Sequence, residues 1–401
     1  MNKWRDLTNR TWGSLKNTTW REVKLEEIAP FKYGKSKVAK ERITGKYDVY
    51  SSGGHCGYSD DMLANKGIII GRKGSVGTVY YSDKPFFAID TAFFIDSVDK
   101  QSDLKFIYYL LTTLKLEEYN NDAAVPGLNR NLAHKLKLQI PDLETQEKIA
   151  DVLSTYDELI ENNNRRIEIL EKTAEEIYKE WFVRMRFPGH ENTKFIKGIP
   201  EGWEVKRVGD LVNVTSSKRI YSKEYVENGI PFYRSKEVIE LSKGNFISTE
   251  LFIAEERYEE IKDNFGVPQI GDILLTSVGT IGIPMLIKED DPFYFKDGNL
   301  TWIQASSKIE FSSYLYAWIC SDFGQQQIKS STIGTSQSAL TITKLNKIKI
   351  IIPNEIILTK FNKNITIIQE SINNLLKQNQ NLIKQRDLLL PRLMNGTIEV
   401  K

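Results

Sequence analysis

The stretch PGLNRNLAHKLKLQIPDLETQEKIADVLSTYDELI, residues 126–160, passes from a polar loop through an alternating strand and a proline into a long charged helix. A second stretch at residues 333–372, IGTSQSALTITKLNKIKIIIPNEIILTKFNKNITIIQESI, repeats that order. Alternating apolar and polar residues predict a half-buried strand, and the proline separates this strand from the helix. One chain therefore builds the same strand–proline–helix join twice.

Landmarks around the join recur in the same order, which indicates a tandem repeat. WREVKLEEIAPF at Trp20 matches WEVKRVGDLVNV at Trp203, and GSVGTVYY at Gly74 matches GTIGIPML at Gly279. The strand ending at Pro141 matches the one ending at Pro353. The interval between the copies grows from each landmark to the next, so the second copy is predicted to carry insertions. Chance matching of common turn patterns is the alternative, and three landmarks in one order argue against it.

Each copy contains an irregular, glycine-rich region with β-strands, followed by a helix of about 40 residues. Strands are predicted in GIIIGRKGSVGTVYY, FFAIDTAFFI and GDILLTSVGTIGIPMLI because these stretches are rich in β-branched and aromatic residues, and glycines in the first and third mark turns. LKFIYYLLTTL and SSYLYAWICSDF are predicted to be short buried helices. The predicted fold class is therefore α/β, with mixed α+β globular heads.

The long helices carry mainly apolar residues at alternating steps of four and three, which is the period of a coiled coil. We call the row of these residues on each helix its seam. The first seam contains Ile149, Leu153, Tyr156, Ile160, Asn163, Ile167, Leu170, Ala174, Ile177 and Trp181. The second contains Phe361, Ile365, Ile368, Ile372, Leu375, Asn379, Leu382, Arg386, Leu389 and Leu393. Pairing within the chain is the simplest use of two such helices, and homo-oligomerisation through either one is the alternative.

An antiparallel pair places residues with a constant number sum opposite each other. Each seam has a single Asn, and a buried amide facing only carbon would cost about 1–3 kcal/mol. We therefore predict that Asn163 faces Asn379, which fixes the sum at 542. The same sum places Ile149 opposite Leu393 and Trp181 opposite Phe361.

The predicted architecture is two tandem heads separated by two long antiparallel coiled-coil helices, with pseudo-two-fold symmetry. Forty helical residues are roughly 60 Å long at about 1.5 Å per residue. The predicted divisions are an N-terminal extension at 1–19, a first head at 20–142, a spacer helix at 143–185, a linker at 186–202, a second head at 203–354, a second spacer helix at 355–394 and a tail at 395–401.

Composition limits the classes of protein to consider. The chain has 401 residues and a net charge of +2, so any nucleic-acid surface must come from local clustering of charge. Two distant cysteines exclude a disulfide framework, and no apolar run has membrane-spanning length, so a cytoplasmic location is expected. No phosphate loop, nucleotide-binding fingerprint or hydrolase motif occurs, and the three histidines lack metal-ligand spacing. An enzymatic role for this chain alone is therefore not predicted.

Polar, glycine-rich loops with basic and amide side chains occur at matching places in both copies. Arg and Lys suit guanine edges and phosphates, Asn and Gln suit adenine, and hydroxyls commonly hold phosphates. Solvated turns are the alternative for any single loop, but the recurrence favours a ligand surface. Arg72, Arg130 and Arg234 are the leading candidates. The full predicted set is Ser51, Ser52, His55, Arg72, Lys73, Ser75, Asn129, Arg130, Asn131, Ser217, Lys218, Arg219, Tyr233, Arg234, Lys236, Ser277, Thr280, Thr335, Ser336 and Gln337.

Together these features resemble the specificity subunit of a type I restriction–modification system. The resemblance runs from Trp20 to Gly396. It is carried by the two Trp stretches, the strands GIIIGRKGSVG and GDILLTSVGTIG, the helix entry IPDLETQEKIADVLSTYDELIENNNRRI and the exits IYKEWFVRMRFPG and LLLPRLMNG. One departure is that Gln146 of the first join has no counterpart in the second, which reads NEIILTKFN.

The resemblance implies a non-catalytic, DNA-binding subunit without a metal or cofactor of its own. Each head would be a target-recognition domain that reads one half of a bipartite site in double-stranded DNA, and the helices would set the gap. Two modification subunits would bring S-adenosylmethionine for adenine-N6 methylation, and two restriction subunits would use ATP and Mg. A coiled-coil scaffold that binds no DNA and a self-sufficient nuclease or methyltransferase are the alternatives.

Overall fold

The structure, a computed structural model, describes residues 20–119, 127–247, 251–289, 291–334 and 338–400. The described residues fall into two compact units, one made of residues up to 160 and from 382 onward, the other of residues 161–381. Both boundaries lie inside the long helices.

The first unit contains short strands, short helices and the start of the first long helix. Its strands are β1 (Arg21–Lys24), β2 (Lys32–Tyr33), β3 (Tyr47–Ser51), β4 (Gly54–Ser59), β5 (Gly67–Gly71), β6 (Val79–Ser82), β7 (Phe86–Ala88), β8 (Ala92–Ile95) and β9 (Lys137–Ile140). Its helices are α1 (Leu25–Ile28), α2 (Leu104–Thr113), α3 (Arg130–His134) and the first part of α4 (Leu143–Tyr178). One antiparallel sheet has the order β2-β8-β5-β6, and a second has the order β4-β3-β7 with β3 parallel to β7.

The second unit is built on the same plan with added elements. Its strands are β10 (Phe195–Ile196), β11 (Ile199–Pro200), β12 (Glu204–Arg207), β13 (Asn213–Thr215), β14 (Tyr225–Val226), β15 (Ile230–Tyr233), β16 (Phe252–Ile253), β17 (Ile273–Thr276), β18 (Pro284–Leu286), β19 (Tyr294–Phe295), β20 (Leu300–Gln304) and β21 (Lys349–Ile352). Its helices are α5 (Val208–Leu211), α6 (Ser235–Ser242), α7 (Glu255–Phe265), α8 (Ile309–Cys320), α9 (Asp322–Ser330), α10 (Ile342–Lys347) and most of α11 (Glu355–Met394).

The sheets confirm the predicted repeat. The order β13-β20-β17-β18 in the second unit reproduces β2-β8-β5-β6 in the first, and β15 runs parallel to β19 as β3 does to β7. The predicted insertions in the second copy include α6 and α7, which have no counterpart between β3 and β5. The two predicted buried helices are present as α2 and α8, whose buried residues include Phe106 and Trp318.

Each join closes its own head with a two-stranded ribbon. The opening strand β1 pairs antiparallel with β9, and β12 pairs in the same way with β21. The residue after each proline then caps the helix: Asp142 accepts from the backbone N–H of Thr145 at 2.9 Å, and Asn354 accepts from that of Ile357 at 3.0 Å. The chain therefore leaves each head beside the strand by which it entered.

Gln146 belongs to the first join. Its side chain is fully buried, accepts from the backbone N–H of Asp103 at 3.0 Å and donates to the carbonyl of Pro141 at 2.8 Å. Leu358 follows Pro353 at the same interval as Gln146 follows Pro141, and it is buried among apolar residues. The missing glutamine of the second join is thus replaced by apolar packing, and Gln146 acts inside its own head.

The seam of the long helices has the predicted register. The side-chain amide Nδ2 of Asn163 donates to the side-chain oxygen Oδ1 of Asn379 at 2.9 Å, and both side chains are buried. Trp181 and Phe361, whose numbers have the same sum of 542, have ring centroids 5.8 Å apart. In the first unit, the predicted seam partner of Arg386 is Tyr156. Arg386 forms an ion pair at 2.6 Å with Asp157, the residue that follows Tyr156 in the sequence. The helices are therefore antiparallel within each unit.

The asparagine pair makes a testable contribution to stability. Asn163→Leu leaves the Asn379 carbonyl oxygen without its buried donor, so we expect a loss of about 1–3 kcal/mol in the free energy of unfolding. Replacing both residues by leucine should be nearly neutral, because no amide then stays buried without a partner. Denaturant unfolding measures both changes, with Asn162→Leu on the exposed face as the control. A single variant no less stable than this control would contradict the paired-amide interpretation.

Two local features differ from the sequence-based expectation. The first spacer helix begins at Leu143 as predicted, but its last residues, Lys179–Val183, form a π-helical turn. The wider turn brings Phe182 into the core of the second unit beside Phe361, with ring centroids 4.8 Å apart. The segment predicted as a linker, 186–202, contains the β10–β11 hairpin. The domain division as a whole stays a prediction.

Candidate nucleic-acid interface

In the first head, two predicted loops that are distant in sequence lie side by side. The backbone N–H of Leu128 donates to the carbonyl of Arg72 at 2.9 Å. Lys73 and Gly127 form an isolated β-bridge next to it. The loop after β5 and the segment before α3 therefore form one continuous surface element, which we call the recognition edge.

The second head has the same recognition edge on an equivalent backbone. The backbone N–H of Leu340 donates to the carbonyl of Ser277 at 2.9 Å, and Val278 bridges to Ala339. The interval from Arg72 to Ser277 equals that between the two matching glycine turns, and the interval from Leu128 to Leu340 equals that between the two prolines. These bonds define which positions of the two heads correspond.

Glycine is required where the loop of the first recognition edge turns back. Gly77 has a φ of +81°, and a Cβ there would lie 2.6 Å from the backbone nitrogen of Glu117. Its counterpart Gly282 has a φ of +92°, and a Cβ there would lie 2.8 Å from the Gln325 side chain. A side chain at either position would strain the backbone and push the loop outward.

The first recognition edge carries positive charge that the described residues do not neutralise. The guanidinium carbons of Arg72 and Arg130 lie 5.0 and 4.8 Å from the centroid of the Tyr33 ring. Arg72 also donates to the carbonyl of Asp90 at 3.1 Å. Among the described residues, Arg72, Lys73 and Arg130 form no salt bridge. This charge is available to an anionic or acceptor-rich ligand.

In the second head, two predicted arginines have carboxylate partners. Arg219 pairs with Asp297 at 2.7 Å, and Arg234 pairs with the buried Glu237 at 2.7 Å. Burial raises the pKa of Glu237, but the hydrogen bonds from Arg234 outweigh it and the pKa is lowered. Glu237 is therefore ionised at neutral pH, and Arg234 first serves to hold the start of α6. The assignment of Arg234 as a leading DNA contact stays a prediction, and its pairing with Glu237 means that an unpaired positive charge does not support it.

The other predicted residues of the first head are in part structural. Ser51 accepts from the backbone N–H of Gly53 in the β3–β4 turn, and Ser52 is buried. His55 lies 3.3 Å from the Asp48 carboxylate. Asn129 caps α3 through its amide oxygen, which accepts from two backbone N–H groups of the first helical turn. The exposed candidates across both heads are His55, Lys73, Ser75, Asn131, Lys218, Arg219, Lys236 and Thr280.

Ser277 differs from the predicted role. Its side chain is buried in the second head and hydrogen-bonds to the Leu275 carbonyl at 3.1 Å and the Thr301 hydroxyl at 2.5 Å. Its hydroxyl therefore acts within the sheet, whereas Arg72 at the corresponding position is only half-buried. Sequence reasoning placed both on a surface because both follow a buried strand and precede a glycine turn.

A polar cavity of about 320 Å³ lies beside β13 in the second head. The Ser217 hydroxyl at this cavity is buried and has no hydrogen-bond partner in the described part of the chain. The Lys218 ammonium lies 4.5 Å from the Phe265 ring centroid. Tyr233 is not part of this cavity and stacks on Phe293 with centroids 4.8 Å apart. The cavity is lined by Asn213, Thr215, Ser216, Ser217, Lys218, Phe265, Tyr294, Trp302 and Gln304.

Thr335, Ser336 and Gln337, also predicted contacts, lie outside the described residues. Sequence reasoning missed Tyr33, whose ring is close to both arginines of the first recognition edge. Its signal was an aromatic residue between a lysine and a glycine, just before a polar loop. Within the described ranges, no helix is long and apolar enough to cross a membrane. The same part of the chain contains no group of three or more His, Cys, Asp or Glu residues placed to hold a metal ion.

Comparisons with known proteins agree with this duplicated geometry. The family model described as "Type I restriction modification DNA specificity domain" matches residues 17–172 and again residues 200–385. The MjaIX specificity subunit of a type I restriction enzyme from Methanocaldococcus jannaschii is 34% identical over 314 residues, covering 74% of this chain and 69% of that protein. The MjaVIII specificity subunit from the same organism is 28% identical over 315 residues, covering 73% and 70%.

A solved structure has the same fold. The crystal structure of a type I restriction–modification S subunit from M. genitalium superposes with a TM-score of 0.58 at 20% identity. The match covers 95% of this chain and 97% of that one. Because the family model matches twice and the MjaIX subunit is 34% identical, this chain belongs to the type I restriction–modification DNA specificity subunits and carries two copies of their specificity domain.

Proposed function

We propose that each head of this specificity subunit reads one half of a bipartite site in double-stranded DNA. The observation that carries the proposal is the recognition edge, which recurs on an equivalent backbone with different side chains. Arg72 and Lys73 in the first head correspond to Ser277 and Val278 in the second. A duplicated scaffold with different side chains is what two readers of different sequences require, because base edges are distinguished by the donors and acceptors they meet.

The chemistry would be supplied by partner subunits. Two modification subunits would dock on this chain and bring S-adenosylmethionine for adenine-N6 methylation, and two restriction subunits would add ATP- and Mg-dependent cleavage. This chain would select the DNA and hold the partners, without a catalytic residue of its own. Its net charge of +2 is small for a DNA-binding protein, so the partners would provide further phosphate contacts.

Assembly and DNA binding of the complex test this proposal. Co-expression with the modification subunits should give a complex of two modification subunits to one specificity subunit by native mass measurement. The complex should bind duplex DNA, with an affinity that falls steeply as salt rises because phosphate contacts release counterions. A coiled-coil scaffold would bind no duplex even at low salt, and that result would overturn the proposal.

A further inference from the structure

Tyr33 lies at the centre of the cationic part of the first recognition edge. It is 49% exposed, yet the guanidinium groups of Arg72 and Arg130 both lie over its ring. The ring is itself held by Phe93, at a centroid distance of 4.9 Å in an edge-on arrangement. A fixed aromatic face attracts a guanidinium electrostatically and leaves its N–H groups available for hydrogen bonds.

The environment of Arg130 leaves one of its donors unused. The Nε–H of Arg130 is buried and has no hydrogen-bond partner among the described residues. Beside it, burial and the charge of Arg130 lower the pKa of His134, so this imidazole is neutral at pH 7. His134 uses Nε2 to accept from the backbone N–H of Phe31 at 2.9 Å, so it neither adds charge nor accepts from Arg130 there.

The strand pairing identifies the counterpart of Tyr33 in the second head. Lys32 pairs with Phe94 on β8, and Thr215 pairs with Trp302 on β20. Phe94 and Trp302 correspond because they pair with Ile69 and Leu274, which are separated by the same interval as the two matching glycine turns. The residue that follows Lys32 therefore corresponds to the residue that follows Thr215. Tyr33 therefore corresponds to Ser216.

The second head has the positions of the arginines without the cluster. Arg72 corresponds to the buried Ser277. Asn129 and Thr341 both cap the following helix, so Arg130 corresponds to Ile342. Two cations and an aromatic ring in one head are therefore replaced by two serines and an isoleucine in the other.

We propose that Tyr33 is a positioning residue that holds Arg72 and Arg130 for the DNA contact of the first half-site, and that the second half-site is read without such a cluster. The proposal rests on the proposed function. The shared ligand chemistry is that of hydrogen-bond acceptors on duplex DNA, either the O6 and N7 edge of guanine or phosphate oxygens. Guanine contacts and phosphate contacts predict different changes in base discrimination and in the salt dependence of DNA affinity.

The test uses the complex of this chain with its modification subunits and a duplex carrying the bipartite site methylated by the unaltered complex. Tyr33→Leu removes the ring, and Tyr33→Phe keeps it. We expect Tyr33→Leu to weaken DNA binding severalfold and at most about thirtyfold, because the free energy of two exposed cation–π contacts limits what the ring contributes by holding the arginines in place. Tyr33→Phe should stay within about twofold of the unaltered complex. Tyr47→Leu is the matched control, because Tyr47 is in the same head and has its own cation, Lys46, 5.4 Å from its ring.

A double-mutant cycle separates positioning from folding. In the Arg72→Gln/Arg130→Gln background, Tyr33→Leu should cost less than about twofold, because the arginines it positions are gone. If Tyr33→Leu costs as much in that background as alone, or no more than Tyr47→Leu, the proposal is wrong. If the unaltered complex methylates no bipartite site, the proposed function fails instead.

The arginine variants then identify the source of the acceptors. Arg72→Gln or Arg130→Gln should relax discrimination at one base pair if the acceptor is guanine. A uniform loss across sequences, with the salt slope smaller by about one, indicates phosphate. Either result supports the cluster as a DNA contact, and unchanged affinity with both arginines replaced would contradict it.

Discussion

Exchanging residues 20–142 for the equivalent residues of another specificity subunit is expected to change one half of the methylated DNA site and leave the other half unchanged. The reason is that the recognition edge of the first head, with Arg72 and Arg130, lies entirely within that segment, while Ser277 and Leu340 lie outside it. The expected effect is large, because each mismatched base pair typically costs about 1–3 kcal/mol and several change at once. Sequencing of methylated sites measures it directly.

The structure sharpens the design of this exchange. The segment should include both strands of the β1–β9 ribbon, so that neither loses its partner. The incoming head must also supply the residues that contact the first long helix α4. In the present chain, the backbone N–H of Asp103 donates to Gln146 and Tyr109 donates to Asp157 of that helix. The matched control is the reciprocal exchange of residues 203–354, which should change the other half-site. Alteration of both halves by either exchange would show that the heads do not read DNA independently.

Lengthening both long helices by one heptad is expected to abolish methylation at the original site or move it to a site with a longer gap. The insertions belong after Ile160 and after Asn381, where the two units divide. The two insertion points face each other in the predicted register, because Ile160 and Leu382 have numbers that sum to 542. All contacts inside each unit are then kept, and a heptad maintains the phase of the seam. The added helix is about 10 Å long, equivalent to about three base pairs at about 3.4 Å each.

Two outcomes fit a helical spacer that sets the gap. In the first outcome, the gap is longer by about two to four base pairs and both half-site sequences are unchanged. Loss of site-specific methylation is the other, because three base pairs correspond to a rotation of roughly 100° around the DNA. The control adds a heptad of Gly and Ser at Gly198 in the exposed β10–β11 turn, which lengthens the chain but neither helix. Full methylation of the original site by the heptad variant would exclude the helices as the spacer.

Periodic features of this chain could be predicted from the sequence. The coiled-coil period and the single Asn in each seam were sufficient to place Asn163 opposite Asn379, because a buried amide has few acceptable partners. The repeated landmarks predicted equivalent backbones, and the paired bonds at Arg72 and Ser277 confirm them. Such inferences succeed because they depend on spacing, which the sequence states directly.

Features that depend on contacts between distant residues could not be predicted. Arg219 and Asp297 are far apart in the sequence, so no local pattern shows that this arginine is neutralised. Ser277 and Arg72 follow similar strands, and only the packing of the Thr301 side chain shows that one is interior. The proximity of Tyr33 to two arginines likewise depends on β2 lying beside β8.

The most direct test of the central claim is a map of adenine methylation in host DNA with and without this gene, with the modification subunit present in both cases. We expect one bipartite motif, two short defined half-sites separated by a gap of unspecified bases, to be methylated only when the gene is present. A genome whose methylated motifs are identical with and without the gene would contradict the claim that this chain selects the DNA.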